Sequence, residues 1–311
     1  MVQGSGVAMI ATGIDLGGTK IEAQVFDADW LCVDRRRIDT PHHYETLVQA
    51  IASQIAWADQ QAGRALPVGI GAAGLVRPYS GLVYAANLVA MDRPLPTDIV
   101  AAVGRDITYI NDCRALTLSE AVFGAGRGKS PVVGLILGTG VGGGLAIDGH
   151  LAPGFMAMGG EFGHFTASAQ LISQHDLPIM KCGCGRYGCN ETLISGPGLT
   201  RLARRFVGED MTAEQLTLAR AGNAMAEQAW RVWCDLVADV VITLVFTCDP
   251  AVVVIGGGLS KAPELIEDLT AALQRAQMPG FAIPELLLAQ GGDASGARGA
   301  AYAAFQAQVV V

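Results

Sequence analysis

The sequence is short of positive charge. Its 21 lysines and arginines are outnumbered by 29 aspartates and glutamates, a formal net charge of −8. A field of that sign disfavours nucleic acid or an anionic membrane as the main partner, while leaving local loops free to bind phosphate. There is no clean apolar run of membrane length. The longest uncharged apolar stretch, Pro131 to Ile147, holds six glycines, which suits a strand–turn–strand and not a bilayer helix. The opening residues, MVQGSGVAMIA, lack the basic start of a signal peptide, so the expected location is cytoplasmic. Cysteines are few and odd in number, seven in all, and in a chain with no export signal they argue for metal more than for a disulfide framework.

What is present is a hydrophobic chain (51%) of 311 residues, about two domains' worth at ~150 residues each. Apolar runs punctuated by glycine alternate with helical patterns, the mark of an α/β protein. Strands are expected at Ala11–Asp15, Ile21–Phe26, Val68–Ala72, Ile107–Ile110, Val132–Leu137, Gly144–Ile147 and Val252–Ile255. Helices are expected at Glu45–Gln61, Ala115–Phe123 and Ala224–Phe246, the last with Trp233, Leu236, Val237, Val240, Val241, Leu244 and Val245 on a broad apolar side. One segment is repeated. GIDLGGTKIEAQVFD from Gly13 aligns with GLILGTGVGGGLAID from Gly134, placing Gly17 on Gly138 at an offset of 121 residues. Each copy reads as strand, tight Gly/Thr turn and second strand. Two copies of one hairpin imply two related α/β halves facing each other across a cleft.

Three glycine clusters follow from this: Asp15–Lys20 (DLGGTK), Leu137–Gly144 (LGTGVGGG) and Ile255–Ser260 (IGGGLS). Glycine gives access to positive φ and lets a ligand approach the main chain with no Cβ in the way. Successive amides in such turns make an anion-binding concavity, to which Thr19 and Thr139 add hydroxyls. Asp15 is placed to orient a hydrated Mg²⁺, which prefers one or two carboxylates plus phosphate oxygens. Neither the P-loop nor the Rossmann fingerprint is met, because a strand and not a helix follows each of the first two clusters. The alternatives are nucleotide binding and ordinary hairpin turns.

Cys182, Cys184 and Cys189, spaced C-x-C-x4-C in KCGCGRYGCNE, supply three sulfurs to one centre. Zinc takes four tetrahedral N/S ligands, and a closed set is structural. His164 in GGEFGH is the best fourth ligand, with His175 the runner-up. The competing reading is a thiol cluster or a disulfide. A closed site would fix Glu161 and Glu191 on either side of it, two carboxylates suited to sugar hydroxyls. Asn111-Asp112 stands where a strand gives way to a helix, and ligands gather at the carboxyl ends of strands. Asp112 there is either a general base for phosphoryl transfer or a cap on the helix.

The motifs GIDLGGTKIE, GIGAAGLV, YAANL, NDCRALTLSEA, GLILGTGVGGGL, GGEFGH, KCGCGRYGCNE and DPAVVVIGGGLS together resemble those of the ROK family of sugar kinases and related repressors, in the family's order and over nearly the whole chain. The resemblance implies a two-domain actin/hexokinase-like (ribonuclease H-like) fold with an interdomain cleft. It places a small domain at 1–114, with 297–311 returning to it, and a large zinc-bearing domain at 115–296. It makes Asp112 the catalytic base, with Asn111, Glu161, His164, Glu191, Gly74 and Asn87 contacting sugar. His164, Cys182, Cys184 and Cys189 become the structural zinc ligands. Asp15, Gly17, Gly18, Thr19, Lys20, Gly138, Thr139, Gly140, Gly256, Gly257 and Gly258 become the site for Mg·ATP, and a homodimer is the usual assembly. DLGGT begins at residue 15, which leaves no room for a repressor's helix-turn-helix.

Within the family the chain most resembles bacterial N-acetylglucosamine kinases. The expected reaction is transfer of the γ-phosphoryl of ATP to the 6-hydroxyl of N-acetyl-D-glucosamine. Fructose, mannose, glucose and N-acetylmannosamine are the alternative sugars, polyphosphate an alternative donor, and a non-catalytic sugar sensor an alternative role. Ala73 replaces the family's usual proline, Leu75-Val76-Arg77 replaces a loop that often carries an acid, and NDCRA replaces the commoner NDANA, which sets Arg114 near the base.

Overall fold

In the computed structural model, which describes residues 8–85, 88–292 and 295–309, the repeated hairpin organises both halves of the chain. The strands up to residue 111 are β1 (Met9–Leu16), β2 (Lys20–Asp27), β3 (Cys32–Asp39), β4 (Val68–Ala72), β5 (Leu75–Val76), β6 (Val83–Tyr84) and β7 (Thr108–Asn111). They are followed by β8 (Val132–Leu137), β9 (Val141–Ile147), β10 (His150–Leu151), β11 (Val252–Gly256) and β12 (Glu285–Leu288). The helices of the first part are α1 (Tyr44–Ala62), α2 (Leu95–Val103), α3 (Asp112–Phe123), α4 (Ala169–Gln174) and α5 (Glu191–Ile194). Those of the second are α6 (Gly196–Val207), α7 (Ala213–Ala219), α8 (Ala224–Cys248), α9 (Leu265–Ala276) and α10 (Ser295–Val309).

The chain forms two compact units, one of Met1–Gly124, Gly149–Gly159 and Gln290–Val311, the other of Ala125–Asp148 and Gly160–Ala289. The division expected at residue 114 thus falls after Gly124, because α3 packs along α10 in the first unit. In that unit the sheet runs β3-β2-β1-β4-β7, with β3, β2 and β1 antiparallel and β4 and β7 parallel to β1. In the second unit β9, β8, β11 and β12 lie side by side in that order, with β8–β9 antiparallel and the rest parallel. Four strands correspond, β2-β1-β4-β7 with β9-β8-β11-β12. The offset of 121 carries Leu16, the end of β1, onto Leu137, the end of β8, and the start of β2 onto the start of β9 at Val141.

Small residues let α10 lie directly on the first sheet. A Cβ at Gly13 would overlap the Ala297 carbonyl, one at Gly69 the Ala300 carbonyl, and one at Gly299 the Ala115 carbonyl of α3. The sequence SGARGAAYAAFQAQV is therefore a packing surface made of absences, which hydrophobic periodicity does not reveal. β3 is equally hard to see: VDRRRID alternates exposed and half-buried positions and carries its charges on a sheet edge, where they discourage pairing with another chain. α1 and α8 run within a residue or two of their expected spans. Burial on α8 extends beyond the expected stripe. Trp230 and Trp233 stack with centroids 4.8 Å apart, and their indole N–H groups donate to Asp268 (2.7 Å) and the Ile194 carbonyl (2.9 Å). Each fully buried large side chain of this kind contributes roughly 1.5–3 kcal/mol, which makes α8 the axis of the second core. Among the described residues no helix is long and apolar enough to cross a membrane.

Candidate active site and metal centre

The first unit gathers its candidate residues at the carboxyl ends of three parallel strands: Asp15 at the end of β1, Gly74 just past β4, and Asn111-Asp112 at the end of β7. In the β1–β2 turn the Gly17 N–H donates to the Lys20 carbonyl at 3.0 Å. Thr40, a residue that sequence reasoning missed, braces the turn: its hydroxyl donates to the Gly17 carbonyl at 2.8 Å and its N–H to the Thr19 carbonyl at 2.9 Å. Those two acceptors are thereby occupied, while Gly18, Thr19 and Lys20 stay exposed. That leaves the donor-rich surface that phosphate oxygens need. An ideal Cβ on Gly296 would lie 3.7 Å from Asp15 Oδ1, so the first turn of α10 stands beside this carboxylate.

The cap at this junction belongs to the neighbour of Asp112. Asn111 is the N-cap of α3, with φ −64° and ψ 143°, and its Oδ1 accepts from the N–H of Cys113 (2.9 Å) and of Arg114 (3.2 Å). Asp112 is the first residue of the helix, and its Oδ1 accepts from the adjacent Cys113 N–H (2.9 Å). Capping is therefore Asn111's work, and the expected start of α3 at Ala115 moves forward to Asp112. The Asn111 Nδ2 donates to the Gly74 carbonyl at 3.2 Å, which ties β7 to the loop after β4. Gly74 has φ +92°, and a Cβ there would overlap the Tyr84 carbonyl, so only glycine fits. Asn87 lies outside the described residues.

In the second unit the structure brings the second and third glycine clusters together at the ends of β8 and β11. The Gly138 N–H donates to the Gly140 carbonyl (3.0 Å), its own carbonyl accepts from the Gly196 N–H (2.7 Å), and its missing Cβ would lie 4.0 Å from the Gly258 nitrogen. The two expected reasons for glycine separate here. Gly17, Gly138 and Gly140 do not adopt positive φ, and a Cβ at Gly138 would meet nothing closer than 3.9 Å. Conformation does not demand glycine at Gly138; open space above the main chain is what it provides. Gly257 is the opposite case, with φ +89° and a Cβ that would overlap the Leu137 carbonyl. Gly258 lines a cavity of about 580 Å³ with Thr212, Glu214, Leu218 and Lys261. Apart from Gly258 these residues were not anticipated, because α7 carries no motif and reaches the glycine turn only through the fold.

His164, Cys182, Cys184 and Cys189 converge, with ligand atoms all within 4.8 Å of one another. The Cys182 sulfur lies 3.6 Å from His164 Nδ1, and the Cys184 and Cys189 sulfurs are 3.7 Å apart. A Zn–S bond of ~2.3 Å in a tetrahedron implies an S···S edge of ~3.8 Å, whereas a disulfide would need ~2.05 Å. The residues fit a tetrahedral cation. Burial pushes the Cys189 thiol up to about 12 and raises that of Cys182 as well, so a cation bound here has to displace protons. Glu161 stands 3.6 Å from His164 Nε2, the ring nitrogen not used toward Cys182, a pairing that would present Nδ1 to a metal. The Glu191 carboxylate accepts from Cys182 Sγ (3.6 Å) on one oxygen and from the Val141 N–H (3.0 Å) on the other, linking the cysteine loop to the glycine turn. His175 is not in the cluster; it follows α4 and its ring meets that of Phe206 edge-on.

Comparison with known proteins identifies the family. The model of the ROK family matches residues 11–307. An N-acetylgalactosamine kinase of Shewanella sp. (strain ANA-3) is 41% identical over 93% of this chain and 94% of its own length. An N-acetyl-D-glucosamine kinase of Pectobacterium carotovorum subsp. carotovorum (strain PC1) is 39% identical over 93% and 97%. The crystal structure of a ROK hexokinase from Thermus thermophilus superposes with a TM-score of 0.87 at 31% identity, over 97% of this chain and all of that one. The fold is accordingly the two-domain actin/hexokinase-like α/β fold, and the chain belongs to the ROK family.

Proposed function

We propose that this protein is a kinase that transfers the γ-phosphoryl group of ATP to the 6-hydroxyl of an N-acetylated hexosamine, N-acetyl-D-glucosamine by preference. One observation carries the mechanism: Asn111 caps α3, so Asp112 stands at the carboxyl end of β7 without serving as the cap. In this reading Asp112 accepts the proton of the 6-hydroxyl as the oxygen attacks the γ-phosphorus in line. In the second unit Glu161, His164 and Glu191 are the groups suited to sugar hydroxyls, and in the first Gly74, Asn87 and Asn111 are. In the first unit the Gly17–Lys20 turn offers donors to phosphate and Asp15 a ligand for the Mg²⁺ that accompanies ATP; in the second the Gly138–Gly140 turn offers donors to phosphate and the cavity beside Gly258 a place for adenosine. Their contribution is positioning and charge stabilisation.

The reading of the four-residue cluster is a structural zinc, supported by ligand spacings near those of a zinc tetrahedron. When bound it supplies folding energy to the 182–189 loop, whose glycine-rich backbone has little core of its own, and takes no part in the chemistry. Both relatives described above are named for N-acetylated hexosamines, which favours that substrate class over glucose or fructose. A coupled ADP-release assay across the candidate sugars tests the assignment. Turnover fastest with an N-acetylhexosamine supports it, and turnover fastest with glucose, mannose or fructose rejects the sugar.

A further inference from the structure

A cavity of about 60 Å³ in the first unit is lined by Gly74, Val76, Tyr109, Asn111, Arg114 and Ala157, among others. One water needs ~10–15 Å³ on this scale, so the space admits a few non-hydrogen atoms and not a sugar ring. Its polar groups are short of partners. The Arg114 guanidinium is partly buried and donates to the Ala152 carbonyl at 3.2 Å, and it forms no ion pair among the described residues. The Tyr109 hydroxyl is buried with no hydrogen-bond partner. Burial, then the negative charge of Asp112, push its pKa up, which places this hydroxyl within the field of the proposed base. Asn111 is already engaged at both ends, through Oδ1 to two amides and through Nδ2 to the Gly74 carbonyl. A cation with one neutral acceptor and an orphaned hydroxyl lining one small space are groups whose partner comes from outside the fold.

Sugar stereochemistry says which part of a substrate would arrive there. The 6-hydroxyl is carried by C6, which hangs from C5, whose ring neighbours are C4 and the ring oxygen, while C2 and its acetamido group lie across the ring. Asn111, the chain neighbour of Asp112, lines the same small space as Tyr109 and Arg114, which sets that space beside the proposed base and, in this reading, at the C4 end of the sugar. We propose that Arg114 and Tyr109 read the sugar's 4-hydroxyl and thereby decide between the gluco and galacto epimers of the N-acetylhexosamine, which differ at C4 alone. The inference rests on the kinase reading, with Asp112 at the 6-hydroxyl. It makes Arg114, where the sequence reads NDCRA, a specificity residue and not a second catalytic group.

The test measures kcat and KM for N-acetylglucosamine, N-acetylgalactosamine and 4-deoxy-N-acetylglucosamine with wild type, Arg114→Ala and Tyr109→Phe. With the preferred epimer, Arg114→Ala should lower kcat/KM roughly 10-fold or more, mainly through KM, the size expected of a hydrogen bond to a charged group. The ratio between epimers should move toward unity. With the 4-deoxy sugar, wild type and variant should match, because the interaction is already gone. Tyr109→Phe removes one oxygen from a packed ring and should move the epimer ratio in the same direction. An unchanged ratio, or an equal loss with the 4-deoxy sugar, overturns the proposal. Should Arg114→Ala not fold, the ratio in Tyr109→Phe decides alone. Wild type that turns over none of the three sugars overturns the N-acetylhexosamine reading and this inference together; turnover with an unmoved ratio overturns only this one.

Discussion

At the β7–α3 junction the cap is Asn111, and the proposed role of base falls to Asp112. Because Asn111 holds the amides of Cys113 and Arg114, replacing Asp112 by asparagine leaves the helix cap in place. Asp112→Asn should therefore melt like wild type and bind sugar with similar affinity by calorimetry, while kcat falls by about 10²- to 10⁴-fold, the usual worth of a general base. The glycines make a second pair of contrasts. Gly257→Ala forces a side chain into φ +89° and onto the Leu137 carbonyl, and should lower stability by at least about 1–3 kcal/mol in thermal or urea denaturation. Gly138→Ala has room for its Cβ and should fold normally while raising KM for ATP, since the methyl occupies the space above the turn. Which glycine is conformational and which is an opening is invisible in the sequence, where both sit in similar runs.

At the scale of elements, legibility follows hydrophobic pattern. α8 declares itself because buried apolar residues recur at helical spacing, and β4 and β8 because they are short, almost wholly buried runs bounded by turns. The C-terminal helix does not, because its contact face is built from Gly296, Ala297, Gly299, Ala300 and Ala301, whose importance lies in how closely β1, β4 and α3 approach. Gly69→Val should consequently destabilise the first unit severely, with loss of cooperative unfolding or of soluble protein as the readout, although valine has the better strand propensity. The 182–189 loop is legible from cysteine spacing alone, and the geometry favours His164 over His175 as its fourth ligand. Under the zinc reading, purified protein should contain close to one zinc per chain by elemental analysis. Cys184→Ser should lose most of it and raise KM for the sugar, because Cys182 and Glu191 share a contact. Metal-free wild type that is fully stable and active would refute a structural zinc.

For the whole molecule, the duplication visible in the sequence as one repeated hairpin extends to four corresponding strands in each unit, β2-β1-β4-β7 and β9-β8-β11-β12. Each unit sets candidate residues at the carboxyl ends of its parallel strands, so both sets are products of the same topology. The sequence motifs named most of these residues, but Thr40, Tyr109, Lys261 and the α7 residues of the 580 Å³ cavity come from segments without a motif and take their places only in the folded units. The net charge of −8 fits a protein that holds its phosphates by turn amides and a few local groups, not by a basic surface. The central claim is phosphoryl transfer from ATP to the 6-hydroxyl of an N-acetylated hexosamine. Its most direct measurement is ADP release with Mg·ATP and N-acetyl-D-glucosamine, the product identified by NMR. The account predicts stoichiometric ADP and a phosphate on O6, lost in Asp112→Asn; no sugar-dependent ADP with any N-acetylhexosamine, or full activity in Asp112→Asn, would contradict it.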